Sequence, residues 1–200
     1  GAMNHPFNLP ETRAVAEFIL DHPNIAAVQS YHNAMGAILR SPGRDGGNML
    51  GADDAILQQI GARGEQIIPF YRSLNVAKDL YQVWGGNSDW LYSARGILNF
   101  VNELWTSKNL YRNTNAVSPE AETEFVKYVL LNDAAVKWHE YDHPTYGRIE
   151  IGGYKKNWGR TPPSFLLEEE CHRNMAFTLY NADQMPLIRI AEVQSDKLSD

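Results

Sequence analysis

A glutamate sits inside a run that otherwise reads as a buried strand, Ile97-Leu98-Asn99-Phe100-Val101-Asn102-Glu103-Leu104. That placement constrains the fold more than any other feature. Desolvation disfavours a charged carboxylate, so Glu103 needs a hydrogen-bond partner, a cation, or a position at the mouth of a site where its basicity is useful. A second short apolar run, Ile25 to Tyr31, follows the breaker His22-Pro23-Asn24 and carries His32 just past its carboxyl end. Brief apolar runs closed by turn residues suit a sheet interior better than a helix. In open α/β sheets, ligands gather beyond the carboxyl ends of strands, which is where His32 is expected.

Between these runs the signals are helical. Asn8-Leu9-Pro10-Glu11 has the form of a capping box with Asn8 as the cap, predicting a helix from about Leu9 to Asp21. Ala37 to Arg40 reads as another short strand, before a loop from Ser41 to Gly51. Asp53 and Asp54 open a helix in which Ile56, Leu57, Ile60, Ile67 and Ile68 roughly keep helical spacing despite Gly61 and Gly64. Val76 to Trp84 fits neither period, and Trp90 to Ala94 reads as a helical turn. Ser118-Pro119-Glu120 predicts a helix to about Leu131. Arg148 to Lys156 alternates around Gly152-Gly153 like a hairpin. Pro162-Pro163-Ser164 introduces a final helix, Phe165 to Tyr180, and Leu187 to Val193 has strand character. Alternating helices and strands predict an α/β fold, a layered mixed sheet flanked by helices.

Composition removes several functions. The chain carries 18 basic and 24 acidic residues, a net charge of -6, and no Lys/Arg run that could follow a phosphate backbone, so nucleic acid is not an expected partner. No apolar stretch approaches the roughly 18 to 20 residues that cross a bilayer. One cysteine excludes an internal disulfide and any multi-cysteine zinc site, and Cys171 is expected as a buried structural thiol. His139 and His143, followed by Pro144, are expected in a surface loop rather than at a metal. Glu168, Glu169 and Glu170 need only the dipole of the helix they open. Gly1-Ala2-Met3 reads as the remnant of an expression tag.

Three stretches, Ser30-Tyr31-His32, then Leu80-Tyr81-Gln82-Val83-Trp84-Gly85-Gly86-Asn87-Ser88-Asp89-Trp90-Leu91-Tyr92, then Phe100-Val101-Asn102-Glu103-Leu104, resemble in order and spacing the second half of the zinc carboxypeptidase catalytic domain. Pro10-Glu11-Thr12-Arg13-Ala14-Val15 is similar to the helix start that precedes the histidine strand in that family. The resemblance implies a hydrolase that removes C-terminal residues from peptides, with zinc as cofactor and a metal-activated water. It implies His32 as the third zinc ligand and Glu103 as the group that takes the proton from water and later delivers it to the leaving amine. It implies Tyr81 as the tyrosine that folds over bound peptide. Ser88 falls where the family lines its side-chain pocket, and the lack of an acid there argues against a preference for basic C-terminal residues.

Other parts of the family pattern are missing. No His-x-x-Glu occurs in the chain, nor the family's upstream arginine, nor its Asn-Arg pair for the substrate carboxylate; Asn4-His5 lacks the guanidinium fork. The expectation is therefore an internal piece: residues 4–185 as the C-terminal half of such a domain, with an insertion at about 107–160, and 186–200 opening a following β-rich segment. Its zinc ligand set would be incomplete and the piece alone a poor hydrolase. Exposed edges would favour pairing with itself or with the missing half. A second reading is a non-catalytic module that binds a peptide or glycopeptide on the same scaffold. The family alone suggests a secreted or periplasmic setting.

Overall fold

In a computed structural model that describes residues 5–47, 49–113, 118–156 and 158–186, helix α1 spans Pro10–Asp21. Pro10 takes the first helical position, where a fixed φ and a missing N–H cost nothing. Leu9 is therefore the cap, Asn8 lies one residue too early, and the expected capping box does not form. Strand β1 (Ala27–Asn33) runs past its expected end, so His32 lies within it. After β2 (Ala37–Arg40) comes helix α2 (Gly51–Ile67), then β3 (Arg72–Asn75). The stretch that fits no period resolves into a π-helical turn, Val76–Leu80, which starts where the Asn75 side chain accepts a hydrogen bond from the Lys78 N–H at 3.0 Å. Helix α3 (Asn87–Arg95) and strand β4 (Leu98–Leu104) complete the motif-bearing region.

These strands form one mixed sheet in the order β1-β4-β2-β3. β1 and β4 are parallel, β2 is antiparallel to β4, and β3 is parallel to β2. Among the described residues β1 has β4 as its sole neighbour. Side chains alternate across the pleat, so Phe100 and Asn102 face one side while Asn99, Val101 and Glu103 face the other. On the first side α2 and the long helix α6 (Ser164–Asp183) cover the sheet with a core of Ile38, Leu57, Ile60, Phe100 and Phe177. Phe100 and Phe177 meet edge to face, with centroids 5.6 Å apart. Gly64 lets α2 approach this core, because a Cβ there would collide with Ile38 and come within 2.7 Å of Phe177. On the second side, Ile19 of α1 and Leu91 of α3 pack with Ile97 and Val28.

Helices α4 (Ser107–Tyr111) and α5 (Pro119–Tyr128) follow, the latter with Ser118 Oγ accepting from the Ala121 N–H as its sequence predicts. The hairpin is larger than expected and turns elsewhere: β5 (Ala135–His143) pairs with β6 (Gly147–Tyr154). Its turn is Pro144 to Tyr146, where His143 Nδ1 accepts from the N–H groups of Thr145 and Tyr146 at 3.0 and 3.2 Å. Gly152 lies within β6 because the Trp138 backbone leaves no room for a Cβ, 2.7 Å away. His139 and His143 thus belong to a strand, not a loop. Cys171 is exposed rather than buried. Leu187 to Val193 lies outside the described residues.

Candidate functional site

His32 and Glu103 are register partners across the parallel pair β1 and β4. Both belong to the face that Val28, Asn99 and Val101 share, near the carboxyl ends of the two strands. Their side chains meet: His32 Nδ1 lies 3.1 Å from Glu103 Oε1 and 3.2 Å from Oε2. A carboxylate only accepts, so Nδ1 carries the proton in this contact. The imidazole side chain is 69% exposed and the carboxylate side chain 15%. The basic partner of a largely covered acid therefore opens directly to solvent.

The carboxyl end of β4 is held from behind. The Gly36 N–H donates to the Glu103 carbonyl at 2.9 Å. Two residues after Glu103, the Trp105 N–H donates both to Tyr71 Oη at 2.7 Å and to Glu170 Oε1 at 2.9 Å. Tyr71 in turn donates to Glu170 Oε1. Burial, and then the Glu170 carboxylate beside it, push the Tyr71 hydroxyl far above its ordinary value, so it stays a neutral donor. A relay of amides crosses the same region: Gln29 Nε2 donates to Asn102 Oδ1 at 2.9 Å, and Asn102 Nδ2 to Asn174 Oδ1 at 2.8 Å. Asn174 Nδ2 closes it on the Glu170 carbonyl at 2.9 Å.

Glu170 is thus more than an acid favoured by a helix dipole. It is 5% exposed and anchors the site strand. The sequence did contain a signal for it, since Glu170, Asn174, Phe177 and Asn181 share the buried stripe of α6. Polar residues at core spacing need partners.

The other sequence candidates stand apart from the pair. Ser88, at the start of α3, accepts a hydrogen bond on its carbonyl from Asn99 Nδ2 at 3.0 Å. Asn99 shares the Glu103 face of β4 but lies four positions earlier, about 13 Å along the strand. Tyr81 is 67% exposed. Its loop is tied to the segment after β2 by Val83 N–H donating to the Gly43 carbonyl at 2.7 Å, and the Gly43 N–H donates in turn to Asp89 Oδ1 of α3 at 2.8 Å. Among the described residues no hydrogen bond or ion pair joins Tyr81 or Ser88 to the side chain of His32 or Glu103.

A structural zinc site takes four protein ligands and a catalytic one three. Among the described residues no group of three or more His, Cys, Asp and Glu side chains is placed to hold a metal. One imidazole beside one carboxylate does not make a complete zinc site. No helix among the described residues is long and apolar enough to cross a membrane.

A family model described as zinc carboxypeptidase matches residues 2–127. No curated protein matches the chain. Among solved structures, carboxypeptidase A from Helicoverpa armigera is 25% identical, with 51% of this chain and 26% of that one covered and a TM-score of 0.46. Thrombin activatable fibrinolysis inhibitor is 24% identical, with 52% and 28% covered and a TM-score of 0.45. The chain therefore spans about a quarter of the length of these two structures. The match over residues 2–127 takes in both strands of the His32–Glu103 pair and the Tyr81 loop, and on it the chain belongs to the zinc carboxypeptidase family.

Proposed function

We propose that this chain contributes a general base and one metal-binding imidazole to a hydrolytic site that releases the C-terminal residue of a peptide. The observation that supports this reading is the contact of His32 Nδ1 with both oxygens of Glu103 on the open face of β1 and β4. Glu103 takes the proton of the attacking water and returns it to the leaving amine, a role that its partly covered carboxylate suits. Tyr81, exposed on its tethered loop, folds over the peptide and hydrogen-bonds it, and Ser88 lines the pocket for the terminal side chain. His32 is the zinc ligand from this chain, and the remaining ligands come from outside the described residues.

The test is Glu103→Gln in the native protein, with benzoyl-glycyl-phenylalanine as substrate. Hydrolysis is expected to fall by about 10²- to 10⁴-fold, with zinc content unchanged. Retained turnover overturns the assignment of Glu103.

The same contact favours a second reading. With Nδ1–H held by Glu103, Nε2 is left as an acceptor, and His32 itself becomes a base steadied by the carboxylate. Chelation separates the two: the first reading loses hydrolysis when zinc is stripped, and the second keeps it.

A further inference from the structure

A cavity of about 400 Å³ opens on the face opposite the His32–Glu103 pair, between the carboxyl ends of β1 and β4 and helix α6. Its walls are mainly apolar, from Tyr31, Leu104, Trp105, Leu167 and Met175, and two charged residues line it, Glu170 and Arg160. Apolar walls with a few convergent polar groups, at this volume, are the usual form of a small-molecule site.

The two charges are unmatched. Tyr71, Trp105 and Asn174 all donate to Oε1 of Glu170. Oε2 takes no hydrogen bond from a described residue, and it is not among the sealed polar atoms that lack a partner, so its open side is the cavity. No Lys or Arg among the described residues pairs with Glu170. A buried carboxylate without a cation is costly. Arg160 is exposed at the rim and makes no ion pair with a described residue. Asn33 Nδ2 donates to its carbonyl at 3.0 Å and fixes its backbone there.

We propose that this cavity binds a free apolar α-amino acid, with the ammonium group on Glu170, the carboxylate on Arg160 and the side chain among Tyr31, Leu104, Leu167 and Met175. Glu170 is buried and Arg160 exposed, so the cavity offers one sheltered anion and one open cation to a ligand that carries both opposite charges. A ligand of the same bulk with one charge leaves one protein charge unanswered. Tyr31 and Leu104 are chain neighbours of His32 and Glu103 but point to the other face. Binding is read without turnover, so this site stands or falls apart from the hydrolytic reading.

Phenylalanine is the probe, and Cys171 reports on it. It is the sole cysteine, exposed, and lines the cavity. Saturating phenylalanine is expected to slow its alkylation by iodoacetamide about fivefold or more and to give a one-site calorimetric isotherm. Phenethylamine and 3-phenylpropionate, each lacking one charge, are expected to bind about tenfold more weakly. Arg160→Gln, at an exposed side chain outside the hydrogen-bond network, should erase the preference for phenylalanine over phenethylamine. Glu170→Gln should erase the preference over 3-phenylpropionate; if that variant does not fold, Arg160→Gln and the two analogues decide. No protection of Cys171 at roughly 10 mM phenylalanine, or equal binding of all three probes, overturns the proposal.

Discussion

Asn99, Val101 and Glu103 point to one face of β4 and Phe100, Asn102 and Leu104 to the other, yet the two sets live in different surroundings. Phe100 and Asn102 are sealed beneath α2 and α6, at 1% and 0% exposure. On the other face the cover given by α1 and α3 stops short of the carboxyl ends, and the His32 imidazole stands largely in solvent. The closed face supplies stability and fixes where β4 ends. On the open face that rigidity holds the His32 imidazole and the Glu103 carboxylate 3.1 Å apart.

Substitutions on the closed face should be expensive and those at the open pair cheap. Phe177→Ala removes the ring that packs on Phe100 and should cost about 3 to 5 kcal/mol in urea unfolding. Asn102→Ala leaves Gln29 and Asn174 without their shared partner and should cost about 1 to 3 kcal/mol. Gly64→Ala forces a methyl against Ile38 and Phe177, with an expected loss of similar size, about 1 to 3 kcal/mol. His32→Ala should leave stability within about 0.5 kcal/mol. A loss at His32 equal to that at Phe177 would break the comparison.

Alkaline titration sharpens it further. The hydroxyls of Tyr71 and Tyr111 are raised from the ordinary value of 10.0 chiefly by burial, Tyr111 up to about 12. Each stays neutral in the folded chain after its unfolded counterpart begins to ionise. Stability is thus intact below pH 10 and falls as pH rises from 10 through about 12. Tyr111→Phe should flatten that fall, as followed by circular dichroism.

The pair itself was legible in the sequence. An acid in an apolar strand and a histidine ending another are chemically conspicuous, and the flanking words matched a family pattern. Their mutual register was not legible, since nothing local in Val28 to His32 says that it pairs with β4 in parallel. Strand β3 was missed because Arg72-Ser73-Leu74-Asn75 is short and mostly polar, and only pairing with β2 makes it a strand. Glu170 was misjudged because its partners, Tyr71 and Trp105, lie 99 and 65 positions away. The hairpin turn was misplaced because two glycines outweighed the subtler signal, a histidine whose ring caps the turn.

His32 and Glu103 form one hydrogen-bonded unit. Its most direct test is the nitrogen spectrum of the His32 ring in the metal-free protein, compared with Glu103→Gln. The expected result is a protonated, hydrogen-bonded Nδ1 in the parent chain, with that signature lost in the variant. Identical His32 nitrogen shifts in the two proteins would contradict it.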